Sequence, residues 1–582
     1  MNCHLCRVIG SLLVLLALLA GCTFAPQPVA PVTPTLAPPP NIPSPTPDTP
    51  NPPNTPPTSE PESPSSPNAA ASEATPFPPP QPAAPPSGAG GTLIMALSTQ
   101  DPTTLDPALV GDVLSAFVVR QLFTGLVRLD DQLDVQPDLA QAWTISPDGR
   151  TYTFTLRDDA RFADGTPITT ADVQASLERA TDPRLAANLP AATYLTDIVG
   201  VREKLNGTAD SISGIDVQDE RTIALTIDAP KSYFLAKLAH PVSFVVDQRV
   251  AERGGEWFTQ PNGSGAFTIE QWQRNELLVL RRNENFYRDL AELEQIRFLL
   301  GANASNALVQ YEEGRVDLVS VPSFALERVR DTSNPLSREL VSVPQLSLTY
   351  IGMNVNLPPF DDLKVREAFS LLLDRNKIAE VTLRNSVVPA RGILPPGMPG
   401  YNDALPAHVA APDQFVGLIA RSKYGSIANL PPIVAYGGGW TDTLSQLAAT
   451  YGITLEVRSF ENFGTYLTAL RENRLPMFAT GWIADYPDPE NFLGVLFSSD
   501  SGENHMGYRN PEVDRLLVAA ASSTDQAQRE SLYREAELLI LADHPIIPIY
   551  HDVEHMLIKP YVTGVTVTPL GILEMSNVEL IR

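Results

Sequence analysis

Residues 432–482 decide the fold of much of this chain, and they read PIVAYGGGWTDTLSQLAATYGITLEVRSFENFGTYLTALRENRLPMFATGW. Short runs rich in β-branched and aromatic residues alternate here with segments of helical apolar spacing. The pattern predicts strands at 432–436, 453–460 and 477–482, with helices at 442–451 and 461–473 between them. Strands that alternate with helices favour a parallel sheet covered by those helices. We therefore predict a doubly wound α/β lobe.

The residues that follow the third strand form a polar, proline-rich turn, Gly481-Trp482-Ile483-Ala484-Asp485-Tyr486-Pro487-Asp488-Pro489. Asp488 can cap the next helix, and Pro489 suits the first helical position. Asp485 is expected at the carboxyl end of a strand, which is where lobes of this type bind ligands. The alternative is that Asp485 only braces the turn.

The remainder of the folded region has mixed α and β signals. Pro147-Asp148-Gly149 is a turn that leads into an alternating strand at 151–156, and a helix is predicted to open at Thr169. The region from residue 91 to the end is too long for one hydrophobic core. We therefore expect two lobes.

The amino terminus has the pattern of an export signal. Arg7 precedes an apolar run at 8–20 that is too short to span a bilayer. The run ends in Leu19-Ala20-Gly21-Cys22, which resembles the lipobox of bacterial lipoproteins, and this implies a signal peptide at 1–21 and a lipidated Cys22. Cys3 and Cys6 have a C-x-x-C spacing, but cleavage of the signal would remove both.

Residues 23–90 have the composition of a linker. Twenty-five of these sixty-eight residues are proline, and such a segment cannot bury enough apolar surface to offset its ordering entropy. With Cys22 it is predicted to form a disordered spacer at 22–90, with a reach of at most ~200 Å at ~3.1 Å per residue.

The formal net charge is −26, and residues 1–90 contribute only −3 of it. A strongly acidic folded region argues against binding to nucleic acid and against broad adhesion to anionic lipid.

Short motifs in a fixed order, spread from about residue 91 to 582, resemble the family 5 extracellular solute-binding proteins, the oligopeptide- and dipeptide-binding group. Each motif is weak alone, and their shared order carries the resemblance. They include Leu105-Asp106-Pro107, Phe123-Thr124-Gly125-Leu126, Phe162-Ala163-Asp164-Gly165-Thr166-Pro167, Asn262-Gly263-Ser264-Gly265, Tyr350-Ile351-Gly352-Met353-Asn354, Leu394-Pro395-Pro396-Gly397 and the segment Gly481–Pro489.

The resemblance implies a fold. It is the two-lobed, α/β periplasmic-binding-protein-like fold of type II, with an extra subdomain inserted in the first lobe and the solute-binding domain at 91–582. The implied boundaries are about 91–128, 212–350 and 549–582 for the first lobe, 129–211 for the subdomain and 351–548 for the second lobe.

The resemblance also implies a binding site. In the peptide binders of this family, the acid matching Asp485 pairs with the peptide α-ammonium group. Backbone groups at Gly481 and Ile483 would pair with the peptide main chain as an added strand does. Trp440, Trp482 and Tyr486 are further candidates for the cleft wall, with packing in the lobe core as the alternative. Arg391 could meet a ligand carboxylate, but a solvated loop position is favoured.

The implied function is the monomeric substrate-binding subunit of an ABC importer, without a cofactor. It would deliver peptides to a membrane permease driven by cytoplasmic ATPases, outside the cytoplasmic membrane. The open alternatives are an oligosaccharide or other solute as ligand, and a sensor that signals to a membrane receptor.

A zinc metallopeptidase is the remaining class. His551-Asp552-Val553-Glu554-His555 matches the H-x-x-E-H pattern of inverted zinc peptidases, which requires a helix. The flanking residues are β-rich and interrupted by proline. On a strand, residues four apart are separated by ~13 Å, too far to share one metal ion.

Overall fold

The computed structural model of the chain describes residues 90–186 and 188–581. The predicted signal peptide, the lipidated Cys22 and the linker up to residue 89 lie outside the described residues.

Twenty strands follow one another along these residues. In chain order they are β1 Gly91–Ser98, β2 Val127–Leu129, β3 Val135–Pro137, β4 Ala140–Ile145, β5 Thr151–Leu156, β6 Ile215–Val217, β7 Thr222–Thr226, β8 Phe267–Gln273, β9 Leu277–Arg282, β10 Leu293–Leu300, β11 Leu318–Ser320, β12 Leu340–Pro344, β13 Ser347–Met353, β14 Val387–Pro389, β15 Ile433–Tyr436, β16 Leu455–Arg458, β17 Met477–Ile483, β18 Ile546–Ile558, β19 Val562–Thr563 and β20 Glu579–Leu580.

The α-helices follow in the same order. They are α1 Val113–Leu122, α2 Thr170–Ala180, α3 Ala191–Tyr194, α4 Val201–Leu205, α5 Phe234–Lys237, α6 Gln248–Ala251, α7 Ala307–Glu312, α8 Ser323–Arg330, α9 Leu363–Ser370, α10 Arg375–Lys377, α11 Phe415–Arg421, α12 Trp440–Ala449, α13 Phe463–Arg471, α14 Glu490–Phe497, α15 Pro511–Ser522 and α16 Gln526–Asp543. No helix within the described residues is long and apolar enough to cross a membrane.

The strands of the main sheet lie in two groups, which form the sheets of the two lobes and meet at β18. The first lobe contains β8, β9, β10, β1, β11 and β12, and β1 pairs in parallel with β10 and β11. The second lobe contains β13, β14, β15, β16 and β17, and β15 pairs in parallel with β16 and β17. The predicted parallel order of strands at 432–482 is confirmed.

Strand β18 belongs to both lobes. Its first half pairs with β13 and β14, and its second half pairs with β11 and β12. The change falls between Asp552, opposite Val387, and Val553, opposite Pro344. The chain also passes from one lobe to the other between β12 and β13, so two neighbouring segments connect the lobes. These crossings lie a few residues from the predicted boundaries at 350 and 548.

A separate four-stranded sheet, in the order β4-β5-β7-β6, forms the inserted subdomain. Strand β5 begins and ends at the predicted residues, and its burial alternates as the sequence indicates. Because β7 pairs with β5, the subdomain reaches Thr226, and its predicted end at 211 is too early.

One cluster of buried side chains joins the first lobe, the subdomain and helices α14, α15 and α16, and another fills the second lobe. The core of the second lobe is formed by one face of its sheet and by helices α9, α11 and α12, with Phe369, Phe415 and Leu444 fully buried among them. This packing fixes the direction of β17, whose carboxyl end leads into the turn that contains Asp485.

Candidate functional site

A cavity of about 400 Å³ is lined by residues of both lobes and of the inserted subdomain. One wall is helix α1 with the loop before it, and the opposite wall is the end of β17 with helix α13. Tyr194 of the subdomain and His240 of the first lobe lie beside Asp485 on the cavity wall. Apolar side chains form much of the wall, among them Phe117, Leu467 and Leu470.

Among the residues that the structure describes, none pairs with the edge that strand β17 presents to this cavity. Its other edge is hydrogen-bonded to β13, and the next residue, Ala484, donates its N–H to the carbonyl of Leu346 at 2.8 Å. Backbone groups alternate in direction along a strand. Because Ala484 points toward β13, the backbone groups of Gly481 and Ile483 point away from β13. Strand β15 covers that edge only at Met477 and Phe478, so Gly481 and Ile483 extend past it.

The unpaired edge ends at Ala479. The hydroxyl of Tyr466, on α13, donates to the Ala479 carbonyl at 2.6 Å. Gly437 also lies there, since a side chain at that position would come within 2.8 Å of the same carbonyl oxygen. The part of the strand that remains open to a ligand therefore runs from Gly481 to Ile483.

The carboxylate of Asp485 follows this edge and lies on the cavity wall, with 24 % of its side-chain surface exposed. Its Oδ2 accepts a hydrogen bond of 2.6 Å from the hydroxyl of Tyr194. Its Oδ1 lies 3.6 Å from Nε2 of His240. Its backbone N–H donates to the side-chain oxygen of Asn491 at 3.2 Å, which holds the turn in place.

Burial raises the pKa of Asp485 to about 6, against the opposing effects of the Tyr194 hydrogen bond and the positive charge of Arg120. The ionised carboxylate is therefore costly in the absence of a cationic ligand. At neutral pH it is still mostly ionised, so it can bind a cation.

His240 is an uncharged neighbour of this carboxylate. Burial holds the pKa of His240 well below its usual value, and its ring stacks on Tyr194 with centroids 3.8 Å apart. Its Nδ1 accepts the N–H of Val242 at 3.2 Å, so the single proton of the neutral ring is on Nε2, toward Asp485. His240 therefore lies next to the acid without neutralising it.

Two arginines line the cavity. Arg120, in the last turn of α1, donates to the carbonyl of Ala239 at 3.0 Å and acts electrostatically on Asp485. Arg471, the last residue of α13, has its Nε 4.0 Å from Oε1 of Glu503. Glu503 also lies 3.1 Å from Nε2 of His505. Burial opposes ionisation of Glu503, but the contacts with His505 and Arg471 lower its pKa below the ordinary value.

The aromatic residues that the sequence indicates have different surroundings. Trp482 lines the cavity, and its ring N–H donates to the side-chain oxygen of Asn491 at 2.8 Å. Tyr486 is fully buried behind the wall, stacks on Tyr233 and donates its hydroxyl to Glu490. Trp440 is the first residue of α12 and packs on Tyr550, with ring centroids 5.8 Å apart. It also lies outside the cavity wall.

Arg391 is exposed on a loop, where its guanidinium donates to the carbonyls of Asp403 and Leu405. This is the solvated loop position that the sequence favoured. Asp488 accepts the N–H of Glu490 at 2.9 Å, and the helix begins one residue later than predicted, with Pro489 as the residue before it.

The two histidines of the H-x-x-E-H pattern lie on β18, as the flanking residues predict. Nδ1 of His551 lies 2.7 Å from the carbonyl oxygen of Ser347, and Nδ1 of His555 lies 2.8 Å from Oγ of Ser342. Both rings therefore brace the strands that connect the lobes. In residues 90–186 and 188–581, no three His, Cys, Asp or Glu side chains are grouped as metal ligands.

Sequence reasoning missed Tyr194, His240, Arg120, Arg471 and Glu503. Tyr194 lies in a four-residue helix of the subdomain, and His240 precedes a short turn in the first lobe. Neither stands in a motif with chemical meaning. Only the folded chain brings them to Asp485, from 291 residues away in the case of Tyr194.

A two-lobed α/β protein with a cavity between the lobes is the architecture of a solute-binding protein, and comparison with known proteins agrees. The family model "Bacterial extracellular solute-binding proteins, family 5 Middle" matches residues 134–504. The chain belongs to this family.

Three similar proteins illustrate the range of the family. The chain is 33 % identical over 490 residues to the "Probable deoxycholate-binding periplasmic protein YgiS" of Escherichia coli, covering 80 % of this chain and 89 % of that protein. The E. coli murein tripeptide binding protein MppA matches in structure with a TM-score of 0.77 and 26 % identity, over 85 % of this chain and 99 % of MppA. Haemophilus influenzae OppA, in complex with the peptide RPPGFSPFR, matches with a TM-score of 0.75 and 26 % identity, over 84 % and 99 % of the two chains.

Proposed function

We propose that this protein is the substrate-binding subunit of an ABC importer and that it captures short peptides in the cavity between its lobes. The peptide α-ammonium group binds the carboxylate of Asp485. The peptide main chain adds to the open edge of β17 at Gly481 and Ile483. Captured peptide is then released to a membrane permease that cytoplasmic ATPases drive.

The observation that carries this proposal is the open strand edge that ends in a partly exposed acid on the cavity wall. The edge offers the backbone donors and acceptors of Gly481 and Ile483, and Asp485 follows two residues later within the same cavity. An extended peptide matches both features, because its main chain can pair with a strand edge while its first residue carries a positive charge.

The electrostatics of the acid favour a cationic ligand group. In the residues that the structure describes, the ion-pair contact of Asp485 is to His240, a ring that burial keeps neutral. A charge-assisted hydrogen bond to an ammonium group in a closed cavity is strong and directional. Bonds to the peptide main chain add affinity without reading side chains, so we expect binding of many sequences.

The amino-terminal segment supports a membrane anchor for this activity outside the cytoplasm. We propose that Cys22 becomes the lipidated first residue after cleavage of residues 1–21, since two acyl chains anchor a protein stably where one does not. Residues 23–90 would then hold the binding domain away from the membrane surface. In this arrangement the protein acts as a monomer.

A second candidate ligand is an amphipathic carboxylic acid such as deoxycholate. Two features of the cavity favour it. The wall is largely apolar, and Arg120 and Arg471 both line it. The relative YgiS is named for this ligand. Such a molecule would use an arginine and would leave Asp485 without a cation.

Binding to the purified full chain separates the candidates. Mass spectrometry identifies any ligand released on denaturation, and calorimetry with trialanine, deoxycholate and maltotriose measures affinity directly. The proposal predicts co-purified short peptides and binding of trialanine alone. Binding of deoxycholate without trialanine would favour the second candidate, and binding of maltotriose alone would contradict both.

A further inference from the structure

We propose that Tyr233 is a positioning residue for ligand capture, because it belongs to a closure latch that holds the two lobes together at a point the ligand does not touch. The closure latch consists of Tyr233 and Lys237 on one side of the gap between the lobes, and of Tyr486, Glu490 and Arg529 on the other. All five residues lie in the described part of the chain, and none of them lines the cavity. The inference rests on the proposed function for its ligand and goes beyond it in naming what sets the affinity for every ligand.

The first side of the closure latch is fixed to the inserted subdomain. Tyr233 precedes the short helix α5, and Lys237 is the last residue of that helix. Phe234, between them, packs on Tyr152 of β5 with ring centroids 4.8 Å apart. The ammonium group of Lys237 lies 2.9 Å from Oδ2 of Asp197, another residue of the subdomain. Helix α5 therefore moves together with the subdomain and the first lobe.

The other side of the closure latch is fixed to the second lobe. Glu490 and Arg529 belong to helices α14 and α16, which pack together and lie between strands β17 and β18 of that lobe. Further along α16, Oε1 of Glu537 accepts the N–H groups of Ile393 and Leu394 at 2.7 and 3.0 Å. These bonds attach α16 to the segment that follows β14. Arg529 and Glu490 therefore move with the second lobe.

The aromatic ring of Tyr233 meets two side chains of the second lobe. It stacks on the ring of Tyr486, with centroids 6.1 Å apart and an angle of 15° between the ring planes. The guanidinium carbon of Arg529 lies 5.6 Å from the centroid of the Tyr233 ring. Stacked rings, and a cation over an aromatic face, attract each other beyond the effect of the area that they bury. Because opening of the lobes separates these groups, both attractions favour the closed arrangement.

Charges on the two sides of the closure latch attract each other as well. Burial opposes the charged form of Lys237, but the carboxylates of Asp197 and Glu490 raise its pKa above the ordinary value. Burial raises the pKa of Glu490, the charge of Lys237 opposes that rise, and repulsion by Asp197 is the weaker of the two charge effects. Tyr486 donates its hydroxyl to Glu490, which joins the charged part of the closure latch to the aromatic part.

The side chains of the closure latch are buried like those of a protein core. Tyr233, Lys237, Tyr486 and Arg529 are all buried. One cluster of buried apolar side chains also continues from the first lobe and the subdomain into helices α14, α15 and α16. Separation of the lobes would return part of this apolar surface to water, which costs free energy in proportion to the area exposed. The closure latch therefore favours closure whichever ligand is bound.

The position of Tyr486 connects the closure latch to ligand binding. Tyr486 directly follows Asp485, so the ring that packs on Tyr233 and the carboxylate on the cavity wall belong to one turn. Lobes that close around a ligand shift between an open and a closed arrangement. The apparent affinity for such a ligand is its affinity for the closed arrangement multiplied by the fraction of molecules that is closed. Because the closure latch raises that fraction, it changes the affinities for all ligands by the same factor.

The test compares Tyr233→Leu with the unmodified full chain by calorimetry with trialanine and N-acetyl-trialanine. We expect both peptides to bind about fivefold more weakly, which is the effect expected from the loss of one stacked aromatic pair. The ratio of the two affinities should stay the same, because the closure latch does not touch the ligand. Tyr233→Phe keeps the ring and should bind both peptides as the unmodified protein does.

Tyr233→Met is a second variant, for use if Tyr233→Leu does not fold. Methionine fills the buried volume with a flexible side chain but has no planar ring, so we expect binding to weaken by about two- to fivefold. The matched control is Tyr311→Leu. Tyr311 is fully buried, its ring centroid lies 3.7 Å from Nζ of Lys559, and its hydroxyl donates to Glu339, all within the first lobe. Tyr311→Leu should lower the free energy of unfolding and leave both affinities unchanged.

Hydrogen exchange of the unliganded proteins gives a second readout, which needs no ligand. The guanidinium of Arg471 in the second lobe lies against Gly111 in the first, since a side chain at Gly111 would come within 2.8 Å of Nη2. This contact joins the lobes without any residue of the closure latch. We expect the backbone amides of Gly111 and of the first turn of α1 to exchange faster in Tyr233→Leu than in the unmodified protein, Tyr233→Phe or Tyr311→Leu.

The possible outcomes separate the inference from the proposed function. Unchanged affinity in Tyr233→Leu, a changed ratio of the two affinities, or an equal loss of affinity in Tyr311→Leu would overturn the inference. Exchange that is faster only around residues 233 and 486 would do the same, because it would show a local defect without opening of the lobes. If the unmodified protein bound neither peptide, the proposed function would fail, and hydrogen exchange would still test the closure latch.

Discussion

Two aspartates three residues apart in the same turn have opposite surroundings. Asp488 forms a buried ion pair with Arg529 at 2.5 Å, in which only 12 % of the acid and 3 % of the arginine side chain are exposed. Asp485 faces the cavity, accepts a hydrogen bond from a tyrosine hydroxyl and lies 3.6 Å from a neutral imidazole. Asp488 therefore has a cation supplied by the chain, and Asp485 has a place for a cation supplied by a ligand.

This difference separates a structural acid from a binding acid without reference to sequence motifs. A buried carboxylate is costly unless a positive charge compensates it. Where the protein provides that charge, removal of the acid costs stability. Where the protein does not provide that charge, the ionised acid lowers the stability of the unliganded protein. This loss of stability becomes smaller once a cationic ligand is bound. Substitutions at the two positions test this contrast.

The largest effect on stability is expected for Asp488→Asn. The substitution leaves the buried guanidinium of Arg529 without its counter-charge, which should lower the free energy of unfolding by about 3–5 kcal/mol. Urea unfolding of the unliganded protein measures this change. The matched control is Asp182→Asn, whose partner Arg184 is exposed, and it should cost less than about 1 kcal/mol. Equal effects of the two substitutions would contradict the structural role of Asp488.

Asp485→Asn is expected to act in the opposite direction on stability. Since burial raises the pKa of Asp485 to about 6 from 3.8, the ionised form costs up to about 3 kcal/mol at pH 7, and asparagine removes that cost. The same substitution should weaken trialanine binding at least tenfold, because the ammonium group loses its counter-charge. Thermal unfolding and calorimetry check the two halves of the prediction.

Asp182→Asn again serves as the control, since Asp182 has a similar side-chain exposure of 22 % and lies outside the cavity. Asp182→Asn should change neither the stability nor the peptide affinity by a comparable amount. A loss of stability in Asp485→Asn with unchanged affinity would assign Asp485 to the turn alone.

The pH dependence should be smaller but distinctive. The pKa of Asp485 is raised by burial, so the unliganded protein gains stability as the pH falls through about 6, where the carboxylate takes up a proton. Peptide affinity should fall over the same interval, by about tenfold between pH 7 and pH 5, because binding requires the ionised acid. In Asp485→Asn both dependences should disappear. Calorimetry at several pH values measures the affinity, and an affinity of the unmodified protein that does not change with pH would contradict this prediction.

The fold could be predicted where the sequence repeats a local pattern. The strands and helices of residues 432–482 follow from apolar periodicity, and β5 follows from its alternation. The two crossings between the lobes carry no such signal, because β18 has the same apolar character in both halves. The subdomain boundary was misplaced for a similar reason, since β6 and β7 are short and only their pairing with β5 assigns them.

From the sequence, only the side of the site that contains Asp485 could be predicted. Asp485, Gly481, Ile483 and Trp482 stand in one motif, and the structure places all four on the cavity wall. Tyr486 was expected there too, but β17 ends at Ile483, so the alternation of sides stops and the ring turns into the core. The residues opposite Asp485 come from the first lobe and the subdomain, and no local pattern indicates which of their polar groups folding brings together.

Recognition of the peptide ammonium group by Asp485 can be measured directly. Affinities of trialanine and N-acetyl-trialanine can be measured by calorimetry for the unmodified protein and for Asp485→Asn. We expect acetylation to weaken binding at least tenfold in the unmodified protein and less than twofold in the variant. A loss of the same size in both proteins would show that the ammonium group binds elsewhere.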